Sequence, residues 1–127
     1  MSLEYCAGLF DGEGCIFVMQ AKQYNTLLLR VVMVEAGPLQ MMAETVGGKV
    51  TKGKVTTEGR QSWDWSVSGS TALVVLRRLR PYLIGKAKEA DVVLMWYPEP
   101  EWGHKPDMEA RQYVRDELQY LRSIAGI

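Results

Sequence analysis

The chain has 127 residues, 47% apolar and 24% charged, the mixture of one ordinary globular domain, and this composition excludes disorder and collagen-like repeats. No apolar run approaches the roughly 18 residues of a membrane span, the start MSLEYCAGLFDGEG has neither the basic nor the long apolar region of a secretory signal, and two cysteines build neither a disulfide framework nor a four-ligand zinc site. Fifteen Lys+Arg balance fifteen Asp+Glu, but unevenly: four bases and one acid fall between Lys49 and Arg60, five bases and no acid between Arg77 and Lys88, and acids gather at the N-terminus and in the tail, so a neutral total conceals a basic face.

In chain order, Leu3 to about Phe10 is short and apolar, suiting a buried helix, which Gly12 and Gly14 break. Cys15–Met19 and Leu27–Val34 are rich in β-branched and bulky residues and read as strands, with a polar turn over Gln23–Thr26. Gly37-Pro38 opens a helix with proline in its first turn. Leu39, Met42, Ala43 and Val46 recur at helical spacing, and Gly47-Gly48 ends the segment.

Val50–Thr57 and Ser62–Ser68 form the next strand pair around a Glu58-Gly59 turn, and Trp63, Trp65 and Val67 alternate with polar neighbours. Ser70 caps a helix over Thr71–Arg80, which Pro81 closes. Lys86–Trp96 is helical, Pro98 to Gly103 is a linker, and Asp107–Ala125 is a last helix with Ala110, Val114, Leu118 and Leu121 on one face. This order predicts an α+β domain spanning 1–127, with a core over about 3–97 and a C-terminal helix over about 107–125. The sheet is antiparallel with helices on one face, so its other face is solvated or binds something large.

The most informative stretch is Ala7-Gly-Leu-Phe-Asp-Gly-Glu-Gly14. Gly8 and Gly12 lie four apart, on one side of a helix, and with Ala7 they form a smooth strip that admits another backbone, either within one core or from a second copy. Asp11 and Glu13 fall at or just past the helix C-terminus, where the macrodipole disfavours carboxylates by roughly 0.3–1 kcal/mol each. If two copies pack there, two Glu13 carboxylates approach, and like charges at ~4 Å cost about 4 kcal/mol at an effective dielectric near 20. A hard cation offsets that arrangement, and Mg²⁺ takes one or two carboxylates plus phosphate oxygens and water. The pattern points to metal-assisted phosphodiester cleavage.

Cys6-Ala-Gly-Leu-Phe-Asp-Gly-Glu-Gly14 closely resembles the signature of the LAGLIDADG homing endonucleases. Gly47-Gly48, the Trp65-Ser-Val67-Ser-Gly strand end and Arg80-Pro-Tyr-Leu-Ile-Gly-Lys-Ala-Lys-Glu-Ala90 resemble that family in the same order, so the likeness covers roughly Leu3 to Trp96. The resemblance implies an αββαββα core whose saddle-shaped antiparallel sheet straddles the major groove of double-stranded DNA. With a single motif it implies a homodimer joined through Ala7, Gly8, Asp11 and Gly12. It also implies Mg²⁺ or another divalent cation held by Glu13 with the Gly12 carbonyl, Lys86 supporting developing charge, and Glu35 near the attacking water. Glu13 stands where the family carries Asp, and Cys6 replaces a leading Leu. No small-molecule cofactor and no membrane partner are implied, and an intracellular setting, cytoplasmic or organellar, is expected.

Alternation sketches the nucleic-acid face. With Ile16 and Val18 inward, Cys15, Phe17, Met19, Ala21 and Gln23 face outward, with a bulge expected near Gln20 and Lys22. Thr26, Leu28 and Arg30 follow on the second strand, Lys52 and Lys54 together on the third, and Ser62, Asp64 and Ser66 on the fourth. Arg and Lys read guanine edges, Gln and Asn adenine, while Lys49, Arg60 and Lys88 suit phosphates. His104, the sole histidine, reads as a surface residue. Trp96, Tyr97 and Trp102 read as packing under the last helix, and Arg77, Arg78 and Arg80 as a solvated face or phosphate contacts. The expected function is site-specific cleavage of a long pseudo-palindromic duplex. Two competitors are a non-catalytic binder on the same fold (an intron maturase or a transcriptional regulator) and a small α+β dimer that binds metabolites or proteins.

Overall fold

Residues 1–21, 24–98 and 107–125 are described by the structure, a computed structural model. The elements run α1 (Leu3–Glu13), β1 (Gly14–Ala21), β2 (Tyr24–Met33), α2 (Ala36–Val46), β3 (Lys49–Val55), β4 (Gln61–Ser68), α3 (Gly69–Leu79), a 3-10 turn over Arg80–Tyr82, α4 (Ala87–Trp96) and α5 (Met108–Ala125). The four strands form one antiparallel sheet in the order β1-β2-β4-β3, so the expected α+β architecture holds. No helix among the described residues is long and apolar enough to cross a membrane. His104, Trp102, Gln23 and most of the expected linker lie outside the described residues.

Helix α1 starts where Ser2 Oγ accepts the Tyr5 N–H at 3.1 Å, an N-cap that satisfies one orphan donor. It runs three residues beyond the expected Phe10, through Gly12 to Glu13. It stops at Gly14, where a Cβ would stand 2.6 Å from the Phe10 carbonyl oxygen and overlap the Phe10 ring. Only glycine lets the chain turn this tightly from α1 into β1.

The first hairpin is tighter than the sequence suggests. Its ladder is continuous from Gly14↔Val31 to Ala21↔Tyr24, so Thr26 lies in β2 opposite Met19 rather than in a turn, and there is no bulge at Gln20. The irregularity falls instead in β3, between Lys52 and Val55. At Gly53, which a β-strand interior ordinarily disfavours, a Cβ would meet Ser62 Oγ at 2.6 Å. The second turn forms as expected, with Gly59 at φ +84 and its N–H donating to Thr56 at 2.9 Å. Ser68, not Ser70, occupies the N-cap position of α3.

One core binds the layers together. Ile16, Val18, Leu27, Leu29, Val31, Trp65 and Val67 line the inner sheet face, and Phe10, Leu39, Met42, Leu73, Leu76, Leu79, Val114 and Leu118 come from the helices. Phe10 meets Trp65 edge-on at 6.4 Å, a favoured aromatic geometry. Trp65 Nε1 donates to the Gly47 carbonyl at 2.9 Å. Gly48, at φ +105, lies so close under the indole that a Cβ would stand 2.8 Å from Cε2. Cys6 fills the position of the resembled leucine as a buried thiol whose pKa burial pushes up, so it serves as a small apolar residue.

The C-terminal part docks through polar contacts. The Tyr97 hydroxyl is buried, accepts the Leu27 N–H and donates to the Asn25 carbonyl, both at 3.1 Å. Arg111 of α5, also buried, donates to the same carbonyl at 3.3 Å and lies over the Tyr97 ring at 5.1 Å. Gln112 accepts from Asn25 Nδ2 at 3.1 Å. Trp96 is half-exposed and touches Tyr113 edge-on.

Candidate functional site

The last turn of α1 gathers the residues singled out by the sequence. Helix ends leave carbonyls without intrahelical donors. Here the Phe10 carbonyl is taken by the Gly14 N–H and the Asp11 carbonyl by Lys86 Nζ at 2.7 Å, a cation at a negative helix end. The Asp11 side chain turns the other way. It accepts the backbone N–H groups of Ile84 at 2.7 Å, Lys86 at 3.0 Å and Gly85 at 3.2 Å. Burial opposes its charge, but these donors and the nearby Lys86 charge outweigh that and hold its carboxyl below the ordinary value.

This arrangement corrects two expectations. The macrodipole penalty expected for Asp11 is offset, because backbone donors at the start of α4 take its carboxylate. Nor does the Asp11 side chain face outward with the glycines as an interface residue would. Lys86 occupies the N-cap position of α4 without a capping side-chain bond, so the cap is imported from α1. A helix opening on Gly85-Lys86-Ala87, with no Ser, Thr, Asp or Asn at its start, was the sequence signal for that missing acceptor.

Glu13 is left alone. It is exposed at the C-terminal residue of α1 and makes no hydrogen bond or ion pair among the described residues. With Thr56, Ser62 and the end of β2 (Val32, Met33 and Val34) it borders an open depression. Glu35 is exposed two residues after β2, at the N-cap of α2, with no capping bond. Among the described residues no three His, Cys, Asp or Glu cluster as a metal site. One free carboxylate and the adjacent Gly12 carbonyl per chain nonetheless fit a hard ion that takes its other ligands from phosphate, water and a second copy.

On the outer side of α1, Gly8 and Gly12 are exposed, and a Cβ at either would meet nothing within 4 Å. Ala7, expected beside them, is instead fully buried in the chain's own core. The bare strip therefore runs along Gly8 and Gly12, with Tyr5 57% exposed one turn before.

The outer sheet face carries no helix among the described residues. Cross-strand partners share a face, which places Cys15 beside Arg30, Phe17 beside Leu28 and Met19 beside Thr26. Arg30 also pairs with Ser66, and Ser66 with Lys49. Arg30 Nε donates to Asp64 Oδ2 at 2.8 Å, and its Nη2 reaches the same oxygen. Asp64 thus orients Arg30 and is not free to accept from a ligand on that oxygen.

Three expected contacts are placed differently. Lys52 stands opposite Trp63 and its ammonium approaches that indole at 6.0 Å. The shift before Val55 breaks the alternation, so Lys52 lies on the helix-bearing side and out of phase with Lys54. Ser62 is buried, and its hydroxyl is committed to the Lys54 carbonyl. Lys88 lies on α4 next to Leu121 and Ile124 of α5, away from the sheet. Arg60 is exposed at the tip of the second hairpin.

Solved structures share this fold. The chain aligns with the homing endonuclease I-CvuI, in complex with its target in the presence of calcium, over 94% of its own length and 80% of that chain, at TM-score 0.75 and 22% identity. The LAGLIDADG meganuclease I-AabMI bound to uncleaved DNA matches at TM-score 0.58 and 13% identity, over 72% of this chain and 34% of the larger one. An archaeal intron-encoded homing endonuclease complexed with DNA matches at TM-score 0.56 and 13% identity, over 93% and 96%. No family model and no curated protein matches the sequence. The fold is thus that of the LAGLIDADG homing endonucleases, as the motif resemblance implied.

Proposed function

We propose that the chain is a site-specific endonuclease that cuts both strands of a long, roughly palindromic DNA duplex as a homodimer. The observation that carries this reading is the division of labour at the end of α1. Asp11 is consumed in bracing Lys86, while Glu13 is held outward with no partner of its own among the described residues. A purely structural helix end has no use for an unpaired carboxylate at its negative pole.

In this reading Gly8 and Gly12 of two copies pack together and bring the two Glu13 side chains to the dyad. A divalent ion such as Mg²⁺, held by Glu13 and the Gly12 carbonyl, supplies Lewis-acid stabilisation of charge on the scissile phosphate. Lys86 donates one of its three ammonium protons to the Asp11 carbonyl and offers the others to developing charge. Glu35, exposed after β2, serves to orient the attacking water. The outer sheet face lies in the major groove, with Arg30 preset by Asp64 to contact a base edge, and Lys49, Lys54 and Arg60 at phosphates.

Incubating a supercoiled plasmid library with the protein, in Mg²⁺ and then in EDTA, tests the reading. Linear products in Mg²⁺ alone are expected. Glu13→Gln is expected to lower cleavage about a hundred- to a thousandfold, the usual effect of removing one group that stabilises transition-state charge, while DNA binding persists. Binding without cutting under every condition would favour the regulator or maturase reading, and no binding even at low salt, where phosphate contacts are strongest, would favour neither.

A further inference from the structure

The outer sheet face is apolar along β1 and mixed along β2, where Leu28 and Val32 alternate with Thr26 and Arg30. On β1 and β2, Phe17 stands opposite Leu28, with Cys15 and Met19 flanking Phe17 along its strand. Met19 is 42% exposed, and Phe17 and Leu28 are partly so. Across β2 the face turns polar, through Arg30, Ser66 and Asp64, and then basic at Lys49 on β3. An antiparallel sheet with one solvated face ordinarily shows polar residues at every outward position. Here the water-facing positions of β1 are Cys, Phe and Met.

The occupant of this face is therefore apolar where it meets β1 and Leu28, and anionic toward Arg30 and Lys49. The major groove of DNA offers that combination wherever a pyrimidine carries a 5-methyl group: the methyl is its one apolar feature, and phosphates flank it. Successive outward residues on a strand stand about 6.8 Å apart, two base steps of about 3.4 Å. Cys15, Phe17 and Met19 thus span about four steps. Resting on the duplex-binding reading above, we infer that Phe17 and Leu28 select targets by packing against pyrimidine 5-methyl groups, those of thymine in natural DNA, next to the base read by Arg30.

The test is a binding selection by the full chain from random duplexes, followed by competition among versions of the selected site. Thymine is expected at fixed positions of each half-site. Replacing it with deoxyuridine, which removes only the methyl, is expected to weaken binding about fourfold per position, the effect of exposing one buried methyl. Installing 5-methylcytosine for a cytosine at those positions is expected to strengthen binding by a similar factor. Phe17→Ser and Leu28→Ser are each expected to erase the preference for thymine over deoxyuridine.

Equal affinity for thymine and deoxyuridine sites overturns the inference while leaving duplex binding intact. So does a thymine preference untouched by Phe17→Ser, or one that 5-methylcytosine does not mimic. Retention of no duplex at all overturns the DNA-binding reading together with it. Self-association in solution that Phe17→Ser abolishes overturns it as well, by assigning the face to a second copy.

Discussion

Replacing Asp11 by alanine removes the brace between α1 and α4, and its cost follows from the contacts. Three backbone donors at the start of α4 lose their acceptor, as in the loss of an N-cap, worth about 0.5–2 kcal/mol. The favourable placement of a carboxylate at a helix N-terminus adds about 0.3–1 kcal/mol. Because water reaches these groups, the total should stay near 1–3 kcal/mol, a fall in Tm of about 4–11 °C for a chain of this size. The pH dependence has a defined sign. The folded Asp11 pKa lies below its ordinary 3.8, so its charge contributes fully above that value, and the contribution fades as pH falls through the lowered folded value. The gap between thermal melts of wild type and Asp11→Ala should therefore be widest well above pH 3.8 and narrow as pH falls below it. Asp11→Asn, which keeps an acceptor oxygen, should fall between. A gap of unchanged size at low pH, or none at neutral pH, would refute the charge-based account of the brace. Cleavage should fall with stability held constant by low temperature, because Lys86 loses its fixed position.

Gly12→Leu should leave the fold intact, since a Cβ there meets open space and a helical leucine is favoured over glycine by up to about 1 kcal/mol; sedimentation should show a monomer and the cleavage assay no product, while a persisting dimer would place the interface elsewhere. Tyr97→Phe strands the buried Leu27 N–H and leaves the Asn25 carbonyl to Arg111 alone, and it should cost about 1–3 kcal/mol, read as a lower urea midpoint at constant slope. Gly48→Ala forces a side chain into positive φ under Trp65 and should cost about 1–3 kcal/mol or more, with altered near-ultraviolet dichroism of the indole.

Much of this architecture was legible residue by residue. Period-2 alternation around Trp63, Trp65 and Val67 placed β4 and its buried face, and Ile16 and Val18 phased β1. Local pattern failed where distant segments decide the outcome. Asp11 looked unfavourable because the N–H groups that donate to its carboxylate lie 73 to 75 positions away. Ala7 looked like a neighbour of Gly8 and Gly12, yet α1 turns it into the core. The bulge in β3 set Lys52 out of phase, and only the β4 register reveals it. The motif singles out Glu13, but its lack of a partner among the described residues depends on where Asp11 and Lys86 go.

The clamp of Tyr97 and Arg111 on Asn25 has a consequence for how such a protein changes. It grips main-chain atoms of the first hairpin from behind, so the stiffness of that hairpin is set by α4 and α5. Substitutions at remote positions such as Gln112 can thus retune how rigidly Met19 and Thr26 are presented, without altering any residue on the presenting side. Variation confined to the back of the molecule offers a route to new preferences at the front.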